Sequence, residues 1–312
     1  MPVGGFRFDG AVATDGYAWW YLDALSEDLR HGITLIAFIG SVFSPYYAWA
    51  RRRGPADPQN FCALNVALYG PCGRWAMTER RRAALSRGAC WLAIGPSALS
   101  WDGNALTVTI AETGAPVPRP VRGTVRLYPE ALEARVVAID HAGRHRWSPI
   151  APCARVEVAL ERPNLSWSGR AYCDTNSGDA PLEADFAEWH WSRASLANGT
   201  AVLYDVTPRE GGRHSVALRY NRGGGVMEFP PPPRVPLPPT LWRVVRETRA
   251  EAGHAPVLRE TLEDAPFYAR SVLETRLCGE AAPAVHESLS LDRFRAPWVQ
   301  AMLPFRMPRA LR

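Results

Sequence analysis

Hydrophobic and polar residues alternate along much of this chain in short runs. The stretches ALTVTIAE, residues 105–112, and RVEVAL, residues 155–160, both repeat aliphatic side chains at every second position. Such alternation is typical of strands with one buried face. Turn-forming pairs separate the runs, with Asp102-Gly103 and Asn198-Gly199 at hairpin positions and a glycine run at residues 223–225. The pattern predicts an all-β protein of antiparallel strands with few short helices.

Two segments depart from the strand pattern. MTERRRAALSRG, residues 77–88, is the only stretch with a plausible helical pattern. FPPPPRVPLPPT, residues 229–240, is incompatible with a helix or a central strand, because proline lacks the backbone donor and fixes φ. We expect a polyproline-II connector there, with a signalling ligand for aromatic grooves as the alternative.

The length of 312 residues favours two β domains, each a barrel or a sandwich, over one. The segment DTNSGDAPLEADF, residues 174–186, interrupts the strand pattern before a new hairpin begins at EWHWSRASLANGTAVLYDV. We therefore predict domains of residues 1–183 and 184–312, with the proline-rich connector inside the second.

The charge and the cysteines exclude several function classes. The formal charge of +5 comes from arginine, because the chain contains no lysine. Schiff-base chemistry and a phosphate loop with a Gly-Lys pair are therefore excluded. The six cysteines are scattered without a C-x-x-C pair, which disfavours a zinc ribbon or a disulfide scaffold. Glycine-rich dinucleotide fingerprints are missing as well. We expect neither a metal nor a cofactor.

Two arginine triplets, residues 51–53 and 80–82, could meet phosphate in nucleic acid or in lipid headgroups. Solvated loop charge is the reading we favour, because 31 acidic residues stand against 36 basic ones, and we expect no nucleic-acid partner. The stretch MPVGGFRFDG lacks a basic segment followed by an apolar run. The longest apolar stretch, residues 32–43, is shorter than the ~20 residues that cross a bilayer. A cytoplasmic location is expected.

The stretch GRAYCDTNSG, residues 169–178, holds one carboxylate among small and polar neighbours. Tyr172 and Asp174 are two residues apart, so on a strand both side chains leave from one face. GRHRWSP, residues 143–149, repeats this spacing with His145 and Trp147. A half-buried strand without catalytic function explains both pairs as well.

Other chemistry has less support. His141 and His145 have the i, i+4 spacing of helical metal ligands, but Gly143 between them favours a turn. A strand-to-helix context for a serine nucleophile is missing. The 12 tryptophans are explained by core packing, or by a cavity whose ring faces hold a hydrocarbon and stabilise a carbocation.

Three stretches carry a resemblance to a known family. They are GYAWWYLDALSEDLRHGITLIAFIGSVFSPYYAWARRRGPADPQNFCALNVALYG, RWAMTER and GRAYCDTNSGDAPLEADFAEWHWSRA. The chain resembles, over nearly its whole length, the carotenoid 1,2-hydratases (hydroxyneurosporene synthases) of phototrophic bacteria. That family belongs to a group of two-domain, lipocalin-like β proteins, which also includes pericyclases and terpene cyclases. The resemblance implies two lipocalin-like antiparallel β domains here.

The resemblance also implies an activity. The family adds water to the C1=C2 double bond of acyclic carotenoids, usually neurosporene and lycopene, without a cofactor. Its functional residues look like His145, Trp147, Tyr172 and Asp174 in this chain. In the wider group the residue after the acid is often His or Arg, whereas this chain has Thr175, which leaves open how the acid is oriented.

We expect Asp174 to protonate the alkene, because an apolar cavity raises the pKa of a carboxyl group. The Trp147 and Tyr172 rings would face the resulting cation. His145 would hold the attacking water and accept its proton. The alternatives are that His145 only orients Asp174 and that Trp147 is core. An isoprenoid cyclase or pericyclase, or a non-catalytic isoprenoid carrier, would use the same scaffold.

The tail APWVQAMLPFRMPRALR, residues 296–312, interleaves apolar residues with arginines. We expect it to associate peripherally with lipid of the inner, photosynthetic membrane, in which the substrate dissolves. Pro304 and Pro308 should prevent one long helix. Docking of the tail on the barrel is the alternative.

Overall fold

A computed structural model describes residues 5–310, which form 21 β-strands and four α-helices. The helices are α1 (Pro45–Arg51), α2 (Leu182–Asp185), α3 (Leu291–Arg295) and α4 (Pro297–Arg306). The predicted all-β class with few short helices is confirmed. Residues 1–4 and 311–312, at the ends of the two predicted domains, lie outside the described residues.

The chain forms two compact units. The first contains residues up to Pro181 together with the segment from Ala301, and the second runs from Leu182 to Gln300. The division into domains 1–183 and 184–312 stays a prediction.

The first unit is built on one antiparallel sheet of 12 strands. Its strands follow the order β4-β3-β2-β1-β12-β11-β9-β8-β7-β6-β5, and β10 pairs with β11. The bounds are β1 (Tyr17–Ser26), β2 (Gly32–Ile39), β3 (Cys62–Tyr69), β4 (Arg74–Met77), β5 (Leu85–Gly88), β6 (Trp91–Ile94), β7 (Ser97–Trp101), β8 (Leu106–Thr113), β9 (Pro120–Pro129), β10 (Val137–Ala138), β11 (His145–Arg162) and β12 (Leu165–Gly178). Consecutive hairpins thus lead outward from a centre where the first long strand pairs with the last.

The second unit has a sheet of seven strands, in the order β16-β15-β14-β13-β21-β20-β19, and a separate hairpin of β17 and β18. The bounds are β13 (Phe186–Leu196), β14 (Gly199–Pro208), β15 (His214–Asn221), β16 (Val226–Glu228), β17 (Arg234–Leu237), β18 (Arg246–Arg249), β19 (Val257–Asp264), β20 (Tyr268–Leu277) and β21 (Glu280–Ser290). In both sheets most antiparallel neighbours are close in sequence, and the exceptions are the pair of β1 with β12 and the pair of β13 with β21.

The turn and strand predictions hold where sequence alternation is clear. Asp102-Gly103 lies in the turn between β7 and β8, and Asn198-Gly199 lies where β13 passes to β14. In β8 buried residues alternate with more exposed ones, as the stretch ALTVTIAE predicts. Local pattern and turn chemistry therefore agree with the tertiary fold at these points.

The helix predicted over residues 77–88 is wrong. Strand β4 ends at Met77, a 3-10 turn covers Arg82–Ala84, and β5 begins at Leu85. The buried side chain of Arg80 donates to Glu112, 32 residues away, and its backbone bridges to Cys62. These long-range contacts hold an extended backbone that local propensity does not encode.

The structure differs from the sequence predictions in the proline-rich connector, at the end of β12 and in the C-terminal helix. Within the predicted connector, Arg234–Leu237 forms β17, which tolerates proline because a two-stranded sheet has open edges. Strand β12 continues to Gly178, through the start of the segment expected to interrupt it. Helix α4 includes Pro304 and ends two residues before Pro308, so only the second proline marks its limit.

A polar cluster lies buried in the second unit. His190 Nδ1 and His286 Nε2 lie 3.0 and 2.9 Å from the hydroxyl of Ser288, and the two imidazole rings stack with centroids 6.2 Å apart. Burial lowers the pKa of His190 to about 4 and that of His286 to about 3. Asp205 partly opposes both shifts, whereas Arg246 adds to that of His286. Both histidines are therefore neutral in the folded protein near pH 7.

Acid should destabilise this unit through the histidine pair. Because both folded-state pKa values lie below the ordinary value of 6.5, the unfolded chain binds more protons, so stability is complete above about pH 6.5 and falls as the pH drops towards 4. We expect a loss of the order of a few kcal/mol, seen as a falling midpoint of urea unfolding. The double variant His190→Gln, His286→Gln should flatten this slope, whereas His254→Gln, at an exposed position, should keep it. Equal slopes in all three proteins would contradict the assignment.

Candidate active site

Strand β1 is buried on both faces, which explains why its sequence is apolar and aromatic throughout. One set of alternate residues, including Trp20 and Leu22, joins the main hydrophobic cluster of the first unit. The other set consists of Tyr17, Trp19, Tyr21 and Asp23. Directly opposed residues of antiparallel strands share a face, so this second set continues onto β12. We call this face, opposite to the hydrophobic cluster, the aromatic face.

All four residues predicted from the sequence lie on the aromatic face. His145 opposes Gly178 and Trp147 opposes Asn176 in the pairing of β11 with β12, and Tyr172 and Asp174 share the parity of those partners. Each of the four side chains is at most 4% exposed. The structure brings Trp147, Tyr172 and Asp174 into direct contact and sets His145 further along the strands.

One oxygen of the Asp174 carboxyl group accepts two hydrogen bonds. The Tyr172 hydroxyl donates to Oδ2 at 2.7 Å, and the Trp147 indole N–H donates to the same atom at 2.8 Å. The hydroxyl of Thr175 instead donates to the backbone carbonyl of Trp19. Orientation of the acid, which the sequence left open, thus comes from Trp147 and Tyr172.

His145 makes a different set of contacts. Its Nδ1 lies 2.9 Å from the Tyr17 hydroxyl, and the two rings stack. Gly178 makes room for them, because a Cβ there would lie 2.4 Å from the Tyr17 ring and 2.8 Å from His145 Nδ1. Since His145 opposes Gly178, it lies four residues, or roughly 13 Å along the strand, from Asp174.

Two irregularities in β11 occur opposite Tyr172 and Asp174. The register shifts once between Ser148 and Ala151 and again between Ala151 and Ala154. Each interval contains a proline, Pro149 or Pro152, which lacks the N–H that a regular ladder requires. Bulges of this kind re-aim neighbouring side chains and are common beside functional sites.

Aromatic rings surround the acid on this face. Tyr21 opposes Asp174 across the strand pair, and its ring packs edge-on against Tyr172 at a centroid distance of 6.3 Å. Further along β1, Tyr17 and Trp19 stack at 4.9 Å, and Trp19 meets Phe38 at 6.0 Å. Such rings offer apolar area and negative π faces to a bound molecule.

Two residues of the aromatic face escaped the sequence reasoning. Tyr17 is the partner of His145, and Asp23 is a second, fully buried carboxyl group on β1. The stretch YAWWYLDA held the signal, because Tyr17, Trp19, Tyr21 and Asp23 recur at every second position. A carboxylate inside an otherwise apolar strand is unusual enough to mark a functional position.

The arrangement suits proton transfer to an apolar molecule. Burial disfavours the charged form of a carboxyl group, because the low-dielectric surroundings solvate it poorly. A neutral carboxylic acid accepts hydrogen bonds on its carbonyl oxygen and carries its proton on the other oxygen. Because both donors contact Oδ2, Oδ1 is the oxygen on which a neutral Asp174 would carry its proton.

Comparison with known proteins identifies relatives along almost the whole chain. The model of the family described as "Carotenoid hydratase CrtC" matches residues 35–312. An acyclic carotenoid 1,2-hydratase from Thiocapsa roseopersicina is 61% identical over 310 residues, which cover 99% of this chain and 76% of that protein. A protein of the same name from Rubrivivax gelatinosus is 52% identical over 309 residues, covering 97% and 76%.

Solved structures share the fold at low identity. A predicted AttH protein from Nitrosomonas europaea superposes with a TM-score of 0.63 at 14% identity, covering 93% of this chain and 98% of that one. Kievitone hydratase from Nectria haematococca gives a TM-score of 0.52 at 7% identity, covering 89% and 90%. These likenesses concern the fold alone, and they confirm the lipocalin-like class predicted from the sequence.

Removal of one donor to Asp174 should destabilise the first unit. We expect Tyr172→Phe to lower the free energy of unfolding by about 1–3 kcal/mol, because a buried acceptor loses a hydrogen bond. Tyr128→Phe is a matched control, since the Tyr128 hydroxyl donates to Glu157 at an exposed site, and its effect should stay within about 0.5 kcal/mol. Chemical unfolding followed by tryptophan fluorescence measures both, and equal effects would contradict the hydrogen bond to Asp174.

Proposed function

The chain belongs to the carotenoid hydratase CrtC family, and on that premise we propose that it hydrates the C1=C2 double bond of acyclic carotenoids such as neurosporene and lycopene. The resemblance to carotenoid 1,2-hydratases in the sequence is confirmed by the family match and by the relatives. Within the site, the observation that carries the proposal is the buried Asp174 carboxyl group, with two donors on one oxygen and aromatic rings around it.

Hydration begins with Asp174 in this proposal. An isolated alkene is a very weak base, so it requires an acid that stays neutral until the substrate is in place. Asp174 transfers the proton on Oδ1 to C2, and the negative charge that develops on the carboxyl group is stabilised at Oδ2 by Trp147 and Tyr172. The same two residues thus stabilise the carboxylate at the moment when its charge forms.

The cation at C1 is tertiary and is stabilised by ring faces. We assign this role to the aromatic residues that share the face with Asp174, of which Tyr21 is directly opposite the acid. A desolvated cation–π contact contributes about 2 kcal/mol, or more than tenfold in rate. Trp147 and Tyr172 were expected to face the cation, and their hydrogen bonds to Asp174 support an orienting role in addition.

His145 is part of the site in this proposal through its contact with Tyr17. The hydrogen bond and ring stack fix the Tyr17 ring, which in turn stacks on Trp19. His145 therefore shapes the far end of the aromatic face. Its separation from Asp174 along the strand argues against direct proton exchange with water at C1.

The substitution Asp174→Asn should abolish hydration and leave the fold intact. The amide keeps the size of the side chain but has no acidic proton, so we expect a loss of about 10²–10⁴-fold or more in turnover. Asp179→Asn is the matched control, because Asp179 is a surface carboxylate on the same segment, paired with Arg146. Product from lycopene, measured by chromatography with unfolding midpoints alongside, decides the matter. Substantial turnover by folded Asp174→Asn would remove the acid from the mechanism.

Isotopes test the reaction without assuming which residues act. Product formed in heavy water should carry one deuterium at C2, and product formed in oxygen-18 water should carry the label in its hydroxyl group. An isomeric hydrocarbon instead of an alcohol would identify a cyclase, and unchanged bound pigment would identify a carrier. Label arriving from molecular oxygen would contradict hydration.

We also propose that the protein acts at a lipid surface, because an acyclic carotenoid dissolves in lipid. Among the described residues no helix combines the length and the apolar character that crossing a membrane requires. Large apolar side chains are nevertheless exposed in the turn at residues 241–245 and on α4. They are Leu241, Trp242, Val245 and Trp298, all in the second unit. We call this set the apolar patch.

The turn of the apolar patch is fixed by its own hydrogen bonds. The backbone N–H groups of Leu241 and Trp242 donate to Asp264, and that of Val244 donates to the Thr240 hydroxyl. Leu241, 97% exposed, is thus held in solvent rather than left on a loose loop. The Trp242 ring stacks on Trp298 of α4 at 6.1 Å.

The chemistry of the apolar patch suits an anionic lipid surface. Residues 241–246 and 293–300 of the second unit contain arginines and no acidic residue. Tryptophan and arginine together are typical of segments that bind at the headgroup level.

Polar substitution in the apolar patch should weaken vesicle binding. We expect Leu241→Ser with Val245→Ser to raise the dissociation constant for phosphatidylglycerol vesicles at least about tenfold, because two apolar side chains no longer enter the lipid. Val117→Ser with Val136→Ser is the control, since both valines are exposed elsewhere. Vesicle co-sedimentation measures the change, and equal binding by both double variants would exclude the patch.

A further inference from the structure

A second carboxyl group lies near Asp174 on the aromatic face. Asp23 is fully buried, and it opposes Tyr172 on β12 and Thr34 on β2. Its neighbour Tyr21 opposes Asp174, so the two aspartates are diagonal neighbours across the strand pair. Cα atoms in that relation lie about 7–8 Å apart. Both carboxyl groups can therefore contact the same part of a bound substrate.

Hydration needs a proton acceptor as well as a donor. The water that attacks the C1 cation becomes a positively charged oxonium group, which must lose a proton before the alcohol is formed. C1 and C2 are adjacent carbon atoms, so this acceptor has to lie close to Asp174. Donation of a proton to C2 and removal of a proton from the water at C1 therefore take place close together.

The positions of the candidate bases favour Asp23. His145 lies roughly 13 Å from Asp174 along the strand, about twice the diagonal separation of the two aspartates. In Asp174 itself, Oδ2 accepts hydrogen bonds from Trp147 and Tyr172, and in this mechanism Oδ1 faces C2 rather than the water that attacks C1. Paired carboxyl groups that leave room for a water molecule between them are an established solution for adding water to a cationic carbon.

We propose that Asp23 is the catalytic base that accepts the proton of the attacking water, an inference that rests on the proposed hydratase function. Asp174 breaks its O–H bond and forms the C2–H bond, and the π electrons leave C1 positive. Water forms the C1–O bond and gives one proton to the Asp23 carboxylate. The proton then returns from Asp23 to Asp174 through water, so the net change is alkene plus water to tertiary alcohol.

The test separates protonation of the alkene from capture of the cation. In heavy water, an enzyme that protonates C2 but cannot capture the cation returns it to alkene. Repeated protonation, with loss of a different hydrogen from C2 or from a methyl group on C1, then builds up deuterium in the recovered carotenoid. We expect Asp23→Asn to lose hydration about 10²–10⁴-fold while still labelling recovered lycopene. Asp174→Asn should lose both hydration and labelling. Mass spectrometry of alcohol and recovered substrate gives the ratio of labelling to hydration for each protein.

A control substitution at Glu112 and a second substitution at Asp23 complete the test. Glu112→Gln alters another buried carboxyl group, paired with Arg80, and should leave the ratio unchanged. If Asp23→Asn does not fold, Asp23→Glu decides, because a displaced carboxylate should raise the ratio. Full hydration by folded Asp23→Asn, loss of both reactions in it, or an unchanged ratio in Asp23→Glu would each overturn the proposal. Failure of the unmodified protein to make alcohol would instead refute the hydratase function.

Discussion

One oxygen atom, Oδ2 of Asp174, accepts hydrogen bonds from an indole and from a phenol, and the centre of the first unit is organised so that both donors reach it. Strand β12 supplies the acid and the phenol through its two-residue period. Strand β11 supplies the indole, and its two proline-containing bulges lie opposite the acid. Strand β1 covers the other side with tyrosine and tryptophan. A sheet buried on both faces keeps water from competing for these bonds.

Much of this could be read from the sequence, because alternation within a strand is a local property. The i, i+2 spacing of Tyr172 with Asp174 predicts a shared face whatever strands lie beside them. Pairing between strands is not local, so the diagonal relation of Asp23 to Asp174 could not be predicted. The helix prediction for residues 77–88 was wrong for the same reason, since the partner of the Arg80 guanidinium group is on a distant strand. Burial on both faces also hid β1, whose even and odd positions are equally apolar.

The two units show different uses of a buried sheet. In the first, polar side chains on the aromatic face are few, and they include the two buried carboxyl groups of Asp23 and Asp174. In the second, histidines, serines and arginines form a hydrogen-bonded interior in which His190 and His286 share Ser288. The fold persists in proteins with very different sequences, so the architecture alone does not specify chemistry. The chemistry that we propose for this chain depends on a few side chains in β1, β11 and β12.

The fixed carboxyl group of Asp174 also has a stereochemical meaning. A carboxyl group that rotates freely presents its proton to either side of a double bond. In the proposed mechanism, Oδ2 is bound to groups on two neighbouring strands, so Oδ1 points in one direction and hydrogen reaches C2 from one side only. The C2 methylene of the product has no stereocentre, yet its two hydrogens differ in origin, one from the substrate and one from solvent. In heavy water that carbon becomes chiral by isotope alone, and its configuration shows from which side of the double bond the acid delivers hydrogen.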